Sequence, residues 1–168
     1  MKISILLIAR FSISRFVVAV LGLSLFSLTV SAQSATSALT AYYGVKDALV
    51  ATDVAKAKAQ AVTLSSALTK LNSAKLSTVD KKALAMAKTH ATAIGKTNDV
   101  DDHREHFGML STGMIALAKA TKSAKAYVQF CPMAANGNGA SWLSDKKEVR
   151  NPYYGDKMLK CGSVKEEI

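Results

Sequence analysis

The chain has 168 residues, with 22 Lys and Arg against 12 Asp and Glu, two cysteines and one tryptophan. That length gives room for one domain with a core of its own, so folding needs neither a metal nor a disulfide. A formal net charge of +10 favours anionic surfaces. The lysines, however, are spread along the chain (Lys56, Lys58, Lys70, Lys81, Lys82, Lys88), as on solvated helix faces, which argues against a nucleic-acid-binding block.

Lys2, Arg10 and Arg15 precede an uncharged, mainly apolar stretch from Phe16 to Val30. The stretch is short of the roughly 20 apolar residues a bilayer crossing needs, and it suits the hydrophobic region of a secretory signal. Val30-Ser31-Ala32 places small side chains around a cleavage point before Gln33. Residues 1–32 therefore read as a signal peptide, no cysteine stands at the cut to carry a lipid, and the expected location is the periplasm, without stable membrane insertion. Residues 33–168 form the expected mature domain of 136 residues, with 19 Lys and Arg against 12 Asp and Glu.

From Thr36 to Thr121 the chain is rich in alanine and lysine and contains no proline. Apolar residues recur at spacings of three and four, which predicts helices. The first places Leu39, Tyr42, Val45 and Leu49 on one stripe. The second starts at Asp53, a good N-cap, and carries Val54, Ala57, Ala61, Leu64, Leu68 and Leu71. The third begins at Ser77-Thr78, runs through Val79, Ala83, Ala87 and Ile94, and stops at Gly95. The fourth opens with Asn98 and the acids Asp99, Asp101 and Asp102, whose charge suits a helix N-terminus. Its stripe is Val100, His103, Phe107, Leu110, Met114, Leu117 and Thr121. Four amphipathic helices with short connections predict an all-α fold, an antiparallel up-down four-helix bundle over about residues 35–122.

After Lys125 the composition changes. Both cysteines, both prolines and the only tryptophan lie in residues 126–168. Asn136-Gly137-Asn138-Gly139 and Asn151-Pro152 are turn signals. The segment from about 123 to 168 is therefore expected to be a loop-rich Cys/Met cap, with room for a short strand at Tyr127 to Phe130 and a second near Lys160 to Val164. With a bundle able to form its own core, replacing the cysteines is expected to disorder the cap and leave the helices.

Two spacings in the cap carry chemistry. In Cys131-Pro132-Met133 the proline favours an extended predecessor, and residues two apart in an extended chain point to one side. In Met158-Leu159-Lys160-Cys161 a spacing of three puts both sulfurs on one face of a helical turn. Together the halves offer two thiols and two thioethers, a donor set that suits Cu(I) and not zinc or calcium. His103 and His106 lie three apart on the fourth helix, and His90 sits late in the third. His103 falls on the apolar stripe, as a core histidine does. His106 flanks it and is the imidazole expected to reach the cap. The competing reading is a disulfide: a cysteine pair in an oxidising compartment is ordinarily bonded, and closing 31 residues stabilises by about 3.7 kcal/mol on the chain-entropy estimate. Methionines beside both cysteines favour the metal.

The run from Tyr127 to Val164, with Cys131-Pro132-Met133, Gly139-Ala140-Ser141-Trp142-Leu143-Ser144, Asn151-Pro152-Tyr153-Tyr154-Gly155 and Met158-Leu159-Lys160-Cys161-Gly162, resembles the bacterial domain-of-unknown-function family numbered 3347. Arg104-Glu105-His106-Phe107 with Leu110-Ser111 is similar to that family's earlier motif. The resemblance implies exported proteins and domains attached to copper and silver efflux adaptors. It points to heavy-metal handling, with Cys131, Met133, Met158, Cys161 and His106 as ligands of copper as Cu(I), and an efflux adaptor or other envelope protein as partner. Trp142 and Tyr153 would then shield the site or pack the cap. The alternative is a metal-independent envelope interaction module stapled by Cys131–Cys161. No nucleophile stands beside an evident base, and the cysteine spacing is not that of a dithiol oxidoreductase, so no enzyme is expected.

Overall fold

The computed structural model describes residues 35–168. The signal peptide expected over residues 1–32, and its cleavage point, lie outside the described residues. Helix α1 occupies 35–50, followed by α2 (Val54–Lys70), α3 (Thr78–Ile94) and α4 (Val100–Thr121). Their starts are set by side-chain caps. Asp53 accepts from the Lys56 amide, Ser77 from the Asp80 amide, and Asp99 from the amides of both Asp101 and Asp102. Each supplies a partner to donors that a helix start leaves open. Between α1 and α2 the chain turns at Thr52, which takes a left-handed φ of 55°.

The alanine-rich stripes let the helices lie close. A Cβ on Gly113 of α4 would stand 2.8 Å from the Ala83 carbonyl oxygen and 3.1 Å from the Ala87 Cβ of α3. Ala87 meets Gly113 while His90 meets His106, so these two helices run in opposite senses. Ser65 of α2 pairs with Thr92 of α3 through hydroxyls 3.0 Å apart. The α2 and α4 stripes are buried as their spacing predicts through Leu64, Leu68, Phe107, Leu110 and Met114, while Val54, Val100 and Thr121 at the helix ends are only partly buried. On α3 one position departs: Val79, in the first turn, is 72% exposed, and Leu84 joins Ala83, Ala87, Ala91 and Ile94 in the core.

The all-α expectation needs correcting at the C-terminus. Residues after α4 form a three-stranded antiparallel sheet, β1 (Tyr127–Cys131), β2 (Ala140–Ser144) and β3 (Ser163–Glu167), in the order β2-β1-β3. A short 3-10 helix spans Gly155–Met158. β1 lies where the sequence allowed a strand, and β3 begins three residues later than expected. β2 has no counterpart in the reading. Its last three residues, Trp142, Leu143 and Ser144, are all buried, so the polar/apolar alternation that marks a half-buried strand is lacking. Trp142, Leu143, Cys131 and Ala134 belong to the same core as Tyr42, Leu68, Phe107 and Ile94. The cap is thus part of the core of the domain and does not merely sit over the helices.

Candidate functional site

Cys131 closes β1 and Cys161 lies two residues before β3, and the two are joined by a disulfide with Cα atoms 5.7 Å apart. The partner positions are fixed from both sides. Asn151, fully buried, donates from Nδ2 to the Cys161 carbonyl at 3.0 Å, accepts from the Tyr153 amide at 2.8 Å, and sends its own amide to the Leu159 carbonyl. Gly162 adopts φ +135°, and a Cβ there would meet the Phe130 carbonyl oxygen at 2.8 Å and the Trp142 ring at 3.0 Å. Only glycine lets the chain after Cys161 press so closely on β1.

The two methionines stand at the same corner. Met158 accepts from the Cys161 amide at 3.0 Å, and the Met133 carbonyl accepts from the Tyr154 hydroxyl. Met133 is 52% and Met158 36% exposed. The fold therefore brings the Cys-Pro-Met and Met-x-x-Cys segments together, as the donor pattern requires. As a disulfide, however, neither Cys131 nor Cys161 offers a thiolate, so the four-sulfur set in this form does not fit a copper ion.

His106 goes elsewhere. Its Nδ1 lies 3.2 Å from Nδ1 of His90, with ring centroids 5.3 Å apart. Arg104, two residues earlier on α4, donates from Nε to the Pro152 carbonyl of the cap at 3.3 Å. Two residues turn a helix by about 200°, so the cap-facing and His90-facing sides of α4 are opposed. The imidazole expected to reach the cysteines instead bridges α3 and α4. Burial lowers the His90 pKa, and the neighbouring His106 charge lowers it further. His103 is fully buried as its stripe predicts, with Nε2 3.0 Å from the Thr97 carbonyl oxygen. Among the described residues no three His, Cys, Asp or Glu side chains are grouped to hold a metal ion.

Where α4 faces the cap there is an open cleft of about 620 Å³. Asp101, Arg104 and Glu105 line its helix side, and Asn136, Tyr153 and Tyr154 its cap side. Arg104 is held at 3.6 Å from Asp101 and donates to Thr52 Oγ1 at 3.2 Å, so it ties the α1–α2 turn to the cleft wall. Tyr153 packs edge-on against both Phe107 and Trp142, at 5.6 and 5.9 Å, and donates to the Ser141 carbonyl at 2.8 Å. This is the packing role that the sequence offered as one of two for Trp142 and Tyr153.

Tyr42, which its stripe marks as core, and Gln129, which the sequence reading passed over, hold the parts in register. Tyr42 of α1, fully buried, pairs with the Ser111 hydroxyl of α4 at 2.7 Å and accepts from the Leu143 amide of β2 at 3.1 Å. Its pKa is pushed up by burial and then by Tyr153. Gln129 of β1 donates from Nε2 to the carbonyls of Lys146, Lys147 and Glu148, which pins the bend after β2. Apolar spacing marks Tyr42 as core, but no local pattern says which amide its hydroxyl meets. The family model described as a protein of unknown function (DUF3347) matches residues 38–126, from within the first turn of α1 through α4, and ends just before β1. No curated protein matches the chain, and no solved structure does.

Proposed function

From the premise that the chain belongs to the DUF3347 family, we propose that it is an exported envelope interaction module, stapled by Cys131–Cys161 and without catalytic activity. The observation that carries this reading is the disulfide itself, because such bonds persist in oxidising compartments outside the cytosol. That supports the periplasmic location and the signal peptide over residues 1–32. In this reading the helices complete an up-down bundle, and the bundle with its fused sheet presents the cleft of Asp101, Glu105, Tyr153 and Tyr154 to an envelope protein, an efflux adaptor being the candidate. Arg104 already faces Asp101 in this wall, which leaves the Glu105 carboxylate and the Tyr154 ring to attract a cationic side chain of a partner segment, by charge and cation–π attraction together.

A second reading keeps the soft metal in the cap. Met133 and Met158 stand partly exposed at the corner where the two cysteines meet. On reduction the corner would offer two thiolates and two thioethers to Cu(I). One experiment separates the two. Protein taken from the periplasm under alkylating conditions is analysed for thiol labelling and copper content. Unlabelled cysteines support the module, whether or not copper is held elsewhere on the chain. Labelled cysteines with stoichiometric copper, lost in Met133→Leu/Met158→Leu, support the metal site and refute the staple.

A further inference from the structure

The most specific unassigned constellation in the molecule lies on the far side of α4 from the cap. His90 and His106, both half-buried, approach through their Nδ1 atoms at 3.2 Å across the α3–α4 seam. As a direct hydrogen bond this separation lies at the long end of the ordinary range. It is close to what a shared metal ion requires. Two imidazole nitrogens bound tetrahedrally at about 2.0–2.1 Å stand about 3.3–3.4 Å apart. The rings are tilted by 51°, so they do not stack, and small rotations can aim both lone pairs at one point.

The neighbours on each helix add donors of one kind. Met86 precedes His90 by four residues on α3, and Met109 follows His106 by three on α4. Residues three or four apart share a helix face. Since the two helices run in opposite senses, both methionines fall toward the same end of the histidine pair. Met109 is 48% exposed and Met86 partly buried. The hard donor on this face of α4 is Asp102, one turn before His106, whose Oδ2 already accepts from the Thr97 hydroxyl at 3.0 Å.

We propose that His90 and His106, assisted by the thioethers of Met86 and Met109, form a surface site for a soft monovalent cation, Cu(I) or Ag(I), between α3 and α4. Imidazole and thioether together select such an ion, whereas Zn(II) and Mg(II) gain little from thioether sulfur. The site does not depend on the cysteines, so it operates in the disulfide-bonded protein. It clips two adjacent helices near the turn that joins them, opposite the cleft, and leaves the cleft free for a partner.

The test is an anaerobic competition titration of the disulfide-bonded protein with a chromogenic Cu(I) chelator. One equivalent of Cu(I) should bind. His90→Gln and His106→Gln should each weaken it at least tenfold, and Met86→Leu/Met109→Leu should weaken Cu(I) binding while leaving any Zn(II) binding unchanged. Thermal melts of the apo variants confirm that each is folded. Titration with Ag(I), followed by proton NMR, should shift the His90 and His106 ring protons and the Met86 and Met109 methyls. No competition by the oxidised protein would overturn the proposal. So would affinity that survives the histidine replacements and disappears in Met133→Leu/Met158→Leu, which would place the ion in the cap.

Discussion

Breaking the Cys131–Cys161 bond tests whether cap and helices are one cooperative unit. The bond closes 30 residues of sequence separation, and the loop-closure estimate for that length is about 3.7 kcal/mol. In Cys131→Ala/Cys161→Ala the gap at fully buried Cys131 adds up to about 1 kcal/mol. With unfolding entropy near 2.1 cal/mol/K per residue over the described chain, the melting temperature should fall by roughly 13–17 °C. The manner of unfolding is more diagnostic. Trp142, the only tryptophan, lies in β2 of the cap, while the helices dominate far-ultraviolet circular dichroism. Trp142, Leu143 and Cys131 pack in the same core as the α1, α2 and α4 residues. Fluorescence and dichroism should therefore report a single shared transition in parent and variant alike. That replaces the expectation, natural from sequence, of a cap that disorders over intact helices. A tryptophan transition that precedes helix loss by several degrees would refute the shared-core argument.

Two further perturbations probe the joints. Tyr42→Phe keeps the ring stacked on Phe107 but removes the acceptor of the Leu143 amide. That amide lies on the edge strand β2 facing away from β1, so its loss should cost about 1–3 kcal/mol, read as a lower urea midpoint; an unchanged midpoint would show that the bond contributes nothing. At the α4 start, the amides of Asp102 and then Asp101 hold the Asp99 pKa below its usual 3.8. The unfolded chain therefore binds the proton more readily, and Asp99 stabilises the fold above that pH and loses the effect as pH falls through the lowered value. Asp99→Ala should melt earlier than the parent at pH 7 and together with it near pH 2; a constant gap across that range would exclude the carboxylate as the cause.

The helices were legible because their determinants are local. Three caps, Asp53, Ser77 and Asp99, and the stripes of α2 and α4 depend on residues within a few turns of each other. Val79 misled because a stripe read at fixed spacing continues through a first turn that the neighbouring helices do not cover. β2 escaped for the opposite reason. Trp142 and Leu143 are buried on both faces by α1, α4 and the cap, and burial on both faces erases the period of two. The register that Tyr42 and Gln129 enforce joins residues 101 and 17–19 positions apart, and no window of sequence contains both ends.

The metal question shows where sequence chemistry needs a fold to choose between readings. Two cysteines with flanking methionines favour a soft-metal cage in the sequence, yet a staple equally requires the Cys-Pro-Met and Met-x-x-Cys segments to meet, and they do meet. What separates them is the oxidation state of the sulfurs, which spacing does not encode. Helix geometry places His106 once the cap-facing side of α4 is known. It lies about 200° around α4 from Arg104, and Arg104 engages the cap. A residue opposite the cap on α4 meets α3, and in two antiparallel helices joined by a short turn the positions near that turn, His90 and His106, come level. The histidines thus belong to the helical hairpin, independent of the cysteines. Substitutions at the α3–α4 seam and reduction of the disulfide at the end of the central strand β1 can therefore be made separately in one molecule.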